Sequence, residues 1–116
     1  MSAQSLLSFN GTSHYIDFET VLNVYRKDFS LEAWVFIENP SGVNRILSSE
    51  RTNVGKNQFA LIQNQDTVAF MMRGAVKGPS LWVNKKHILK AKIPVKQWTH
   101  VAVCRKGTLH QLFING

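Results

Sequence analysis

A chain of 116 residues with 14 Lys and Arg against 7 Asp and Glu, a net charge of +7, holds one hydrophobic core and is too short for two. Its 44% hydrophobic content and mean hydropathy of -0.13 are ordinary for a soluble globular protein. No run approaches the ~20 apolar residues of a membrane-spanning helix, and a single cysteine excludes an internal disulfide.

The N-terminus, from Met1 to Phe9, has no basic segment followed by a long apolar run and does not read as a signal peptide. That leaves a cytosolic protein or a piece of a longer one. Leu6 to Phe9 is expected to open a short strand, ended by the turn Asn10-Gly-Thr-Ser. Tyr15-Ile-Asp-Phe18 alternates and reads as a second strand. Residues 19–27 suit a helical turn or an irregular connection equally. Phe29 to Ile37 is a strand with Phe29, Leu31, Ala33, Val35 and Ile37 on one side and Trp34 and Phe36 on the other. Such a strand, apolar on nearly both faces, is expected to be covered on both sides, or bent so that each face is covered in part.

Asn39-Pro-Ser-Gly42 is a turn by composition and Arg45 to Glu50 a strand. A polar loop follows from Arg51 to Lys56. Gln58 to Gln63 and Thr67 to Arg73 flank Asn64-Gln-Asp66 and form a hairpin. Gly74 to Pro79 is a loop, Leu81-Trp-Val83 a short strand candidate, and Lys85 to Pro94 is mixed. Trp98 to Arg105 is again apolar on both faces, with Val101 and Val103 opposing Trp98, Ala102 and Cys104. Lys106-Gly107 turns the chain into a last strand, Leu109 to Ile114. Eight or nine short strands at about ten-residue spacing, with no convincing helix, give an all-β antiparallel two-sheet sandwich or jelly roll.

Charge is split along the chain. Residues 1–66 hold five basic and all seven acidic residues, whereas residues 67–116 hold nine basic and no acidic ones. Such asymmetry marks a polyanion-binding face, or a surface balanced by acids elsewhere. The densest stretch, Lys85 to Lys96, supplies Lys85, Lys86, Lys90, Lys92 and Lys96, with Arg73 and Trp82 as candidate neighbours. Lysines offer point charges to sulfate, phosphate or carboxylate, and an indole face suits the apolar side of a sugar ring. The plainer alternative is a solvated edge whose lysines discourage strand pairing. No motif for specific nucleic-acid recognition accompanies these charges.

Other chemistry is weakly indicated. His14, His87, His100 and His110 have no metal-ligand spacing, and His100, beside Trp98, reads as a hydrogen-bonded boundary histidine. Cys104 reads as a buried, unreactive thiol. The carboxylate pairs Asp17/Glu19 and Asp28/Glu32 lack the signature of a glycoside hydrolase, so the expectation is not an enzyme. Asn10-Gly-Thr12 matches a glycosylation sequon, but its preferred reading is a turn selected by its backbone.

Leu7 to Phe18, Asp28 to Val35, Arg45 to Ser48, Gln97 to Val103 and Leu112 to Gly116 follow the order and rough spacing of laminin-G-like, concanavalin A-like jelly-roll domains, and the chain resembles that family throughout its length. The resemblance implies two curved antiparallel sheets, with Glu32, Trp34, Trp98 and His100 at signature positions that mainly serve the scaffold. It implies a module that binds glycans or a protein partner, often with calcium at one rim, though no calcium ligand set is identifiable here. With the lysine-rich segment and the unmatched carboxylates, the expectation is a non-catalytic module whose ligand is a glycan, anionic ones included. It implies work at the cell surface or in a secreted protein. A protein-interaction module without sugar affinity, or a domain of a glycoside hydrolase, are the alternatives. The family's strand matching Leu112 to Asn115 is followed by further strands, so residues 1–116 are expected to form a single domain lacking its C-terminal strands. Those strands, or a second chain, would complete it.

Overall fold

A computed structural model describes residues 5–17, 27–49, 58–73 and 88–116. Seven strands lie in these segments: β1 (Phe29–Phe36), β2 (Val43–Ser48), β3 (Gln58–Asn64), β4 (Thr67–Arg73), β5 (Ile88–Lys92), β6 (Trp98–Lys106) and β7 (Leu109–Ile114). All pairings are antiparallel. One sheet has the order β1-β6-β7 and the other β2-β3-β4-β5. The all-β, two-sheet expectation is met, and the described residues contain no helix.

The sheets face each other across one core. β3 contributes Phe59 and Leu61, β4 Val68 and Phe70, and β6 Val101 and Val103, with Ile37 and Ile93 closing the cluster. Every second residue of each strand enters it, as the two-residue period of a strand requires. Phe70 is the hub. Its ring lies 6.0 Å from Phe29 of the opposite sheet and 6.2 Å from Phe59 beside it. Such tilted aromatic pairs add roughly 0.5–1.5 kcal/mol each beyond their buried area.

Turn chemistry sets the register. The β3–β4 hairpin has a two-residue turn, with Gln65 at a φ of 54°. The β6–β7 turn places Gly107 at a φ of 60°, where a residue without Cβ is unstrained. The Gly107 N–H donates to the carboxylate of Asp28 at 2.8 Å, tying this turn to the entrance of β1. Between β5 and β6, the Lys96 N–H donates to the Ile37 carbonyl at 2.8 Å. Buried Gln63 is satisfied from both ends of its amide: it accepts from Asn44 and donates to the Gln65 carbonyl.

The structure corrects the expectation at the N-terminus. Leu6 to Phe9 and Tyr15 to Asp17 are not strands, and Leu6, Leu7, Phe9, Tyr15 and Ile16 are exposed. Alternation there is too short to define a buried face. The turn between them is real. The Asn10 carboxamide oxygen accepts from the backbone N–H groups of Thr12, Ser13 and His14, with Gly11 at a φ of 74°. The stretch read as mixed, Lys85 to Pro94, contains β5. The strand candidate at 81–83 and the connections at 19–26, 51–56 and 74–79 lie outside the described residues.

Candidate functional site

The two sheets differ on the faces turned away from the core. On the four-stranded sheet, Ala60, Ala69 and Met71 stand on the outer face and are nonetheless buried. On the three-stranded sheet the outer face is open at one end. There Trp34 is 66% exposed, Trp98 48% and Phe36 46%. The outer face is therefore covered in part: Ala102 is buried and His100 and Cys104 are half-buried, while Trp34, Phe36 and Trp98 at the other end are exposed. Alternation places Ser30, Glu32, Trp34 and Phe36 of β1 outward, and their partners on β6 are Cys104, Ala102, His100 and Trp98. An aromatic run on this face needs a partner to be dry, and among the described residues none lies over it.

The register builds two aromatic pairs side by side. Trp34 sits opposite His100 with ring centroids 5.1 Å apart, and Phe36 sits opposite Trp98 at 5.7 Å, edge to face. Trp34 and Trp98 are thus diagonal neighbours on adjacent strands, a relation that puts backbones about 7–8 Å apart and long side chains within reach. One polar pair borders the platform. His100 Nε2 lies 3.0 Å from Glu32 Oε2, and the Glu32 side chain remains largely exposed. Asn115 completes the support of β6: its side-chain oxygen accepts from the His100 N–H at 2.9 Å, and its own N–H donates to the His100 carbonyl at 2.8 Å. The result is an apolar step of two indoles and a phenyl ring beside a carboxylate and an imidazole, carried on two paired strands.

Of the basic candidates, Arg73, Lys90, Lys92 and Lys96 are described, and Arg73 stands apart from the other three. Lys90 and Lys92 share the outer side of β5, an edge strand, opposite Ala69 and Thr67 of β4. The Lys92 ammonium lies 3.8 Å from the Asp66 carboxylate, both well exposed. Arg73 ends β4 at the opposite end from Thr67, roughly 20 Å away at about 3.3 Å per residue. Lys96 sits in the β5–β6 turn at a φ of 57°. Trp82, Lys85 and Lys86 lie outside the described residues. What is placed is an exposed edge with two lysines aligned, on the other sheet from the aromatic platform.

The remaining candidates resolve individually. Asp28 serves the Gly107 turn and Glu32 serves His100, so the two carboxylates are engaged with partners seven residues apart in the chain. Glu19 lies outside the described residues. Cys104 is half-buried rather than buried, on the outer face with Sγ 3.3 Å from Ser30 Oγ. Its position opposite Ser30, away from the core, is the reason. Among the described residues no three His, Cys, Asp or Glu side chains come together as metal ligands. No helix of the described residues is long and apolar enough to cross a membrane.

Two facing antiparallel sheets with a shared apolar core define a β-sandwich. A family model described as the concanavalin A-like lectin/glucanases superfamily, of laminin-G type, matches residues 10–116, and the chain belongs to that family. Neither the curated proteins nor the solved structures gave a match.

Proposed function

We propose that this protein is a non-catalytic carbohydrate-binding module whose contact surface is the outer face of the three-stranded sheet. The observation that carries the reading is the exposure of Trp34, Phe36 and Trp98 together on that face, with Glu32 and His100 at its margin. Sugar rings present C–H groups on their faces and hydroxyls on their edges. Exposed indole and phenyl rings accept the first, and a carboxylate and imidazole exchange hydrogen bonds with the second. Binding sites of this kind are largely apolar with a few placed polar groups. Membership of a superfamily of lectins and glucanases supports the same ligand class. A glycan ligand also fits a place at the cell surface or in a secreted protein.

The non-catalytic part of the reading rests on the carboxylates. Asp28 and Glu32 are each engaged in a structural bond, Asp28 at the Gly107 turn and Glu32 at His100. The anionic-glycan reading keeps a narrower base, Lys90 and Lys92 on the edge of the other sheet.

A glycan array probed at two salt concentrations tests the proposal. Binding through the aromatic face is insensitive to salt and is lost in the Trp34→Ala variant. Binding that weakens with salt and is lost in the Lys90→Ala/Lys92→Ala variant moves the site to β5. Failure to retain any glycan at either salt concentration overturns the carbohydrate reading and leaves a protein-interaction module. Release of sugar from a polysaccharide overturns the non-catalytic one.

A further inference from the structure

Resting on the carbohydrate reading, we infer that the aromatic face takes at least two consecutive rings of an uncharged glycan chain, rather than a terminal sugar or an acidic one. The length follows from the register. Trp34 and Trp98 stand on different strands and in different aromatic pairs, so one pyranose ring covers one indole and leaves the other wet. A second ring linked to the first reaches the diagonal neighbour. The Trp98 ring is held edge to face by Phe36 and the Trp34 ring is packed on His100. Little side-chain freedom is therefore lost when the chain lies down on them.

The charge preference follows from what surrounds the platform. The acidic side chain on this face beside Trp34 is Glu32, largely exposed, and exposed Glu38 follows β1 two residues beyond Phe36. Among the described residues the two aligned lysines, Lys90 and Lys92, belong to the other sheet. An acidic sugar stacked on Trp34 meets Glu32 with like charge, whereas the described lysines near the ends of β6, Lys96 two residues before Trp98 and Lys106 at the other end of the strand, stand four or more residues from His100, the partner of Trp34. A neutral ring instead offers hydroxyl protons to the Glu32 carboxylate, which when ionised is an acceptor and not a donor.

The test is isothermal titration of the protein with β-linked glucose, N-acetylglucosamine and xylose series of one, two and four residues, and with a sulfated tetrasaccharide. In at least one neutral series the affinity rises roughly tenfold or more from one ring to two, and the sulfated chain binds more weakly than its neutral counterpart. Trp98→Ala reduces the disaccharide to the affinity of the monosaccharide, and Trp98→Phe restores part of the difference, with far-UV circular dichroism checking the fold of both. Equal affinity for one and two rings overturns the two-ring inference while leaving sugar binding intact. Tighter binding of the sulfated chain overturns the preference for uncharged glycans. Failure of every neutral series to bind overturns the carbohydrate reading together with this inference.

Discussion

Replacing Trp34 by alanine separates a binding surface from a piece of core. Trp34 is 66% exposed, so about a third of its surface is covered by the protein itself. A tryptophan exposes up to about 250 Å², which leaves ~80 Å² covered, and at ~25 cal/mol/Å² the loss is about 2 kcal/mol as an upper value. Phe70→Ala is the matched control. Phe70 is 1% exposed and in ring contact with Phe29 and Phe59. Its removal leaves a cavity and costs about 3–5 kcal/mol. Urea unfolding followed by circular dichroism measures both, with the slope checked for constancy so that midpoints can be compared. The predicted pattern is a modest loss for Trp34→Ala accompanied by loss of glycan binding, against a severe loss for Phe70→Ala. A Trp34→Ala variant destabilised as much as Phe70→Ala refutes the reasoning, because it means that Trp34 is packed as core.

Four further outcomes are expected. Gly107→Ala, at a φ of 60°, forces a Cβ into the left-handed region and costs roughly 1–2 kcal/mol, whereas Asp28→Ala removes the acceptor of the same turn and costs about 1 kcal/mol; thermal unfolding of both variants checks this. Gly11→Ala is destabilising in the same assay, since its φ of 74° disfavours a side chain and the added Cβ meets the Asn44 carboxamide oxygen at 3.2 Å. Lys92→Ala changes stability by less than about 0.5 kcal/mol, because both partners of its ion pair with Asp66 are well exposed; a larger change in urea unfolding contradicts that placement.

The strands that carry alternation over six or more residues were legible in the sequence. Phe29 to Ile37 and Trp98 to Arg105 declared their inner faces, and the Asn64-Gln-Asp66 turn declared its hairpin, because period and turn chemistry agree locally. Leu6 to Phe9 failed for the opposite reason: four residues of weak alternation do not distinguish a strand from an exposed segment. The candidate site was half legible. Alternation assigned Trp34, Phe36 and Trp98 to one side of their strands, but whether that side is covered depends on which layers the fold supplies. The register pairing Trp34 with His100 and Glu32 with Ala102 is equally non-local, so the approach of His100 to Glu32 had no signal beyond residue type. The lysines illustrate the converse. Of their crowded stretch, Lys90 and Lys92 align on one side of β5, whereas Arg73, a suggested neighbour, falls at the far end of β4 from Lys92, because a strand advances about 3.3 Å per residue.

The most direct test is a titration of the ¹⁵N-labelled protein with a neutral β-linked tetrasaccharide, followed by the indole N–H resonances in a ¹H–¹⁵N correlation spectrum. The account predicts saturable shifts of the Trp34 and Trp98 indoles and of the His100 amide, with the Lys90 and Lys92 amides unmoved. Shifts confined to Lys90 and Lys92, or indole resonances that stay fixed while sugar binds, contradict it.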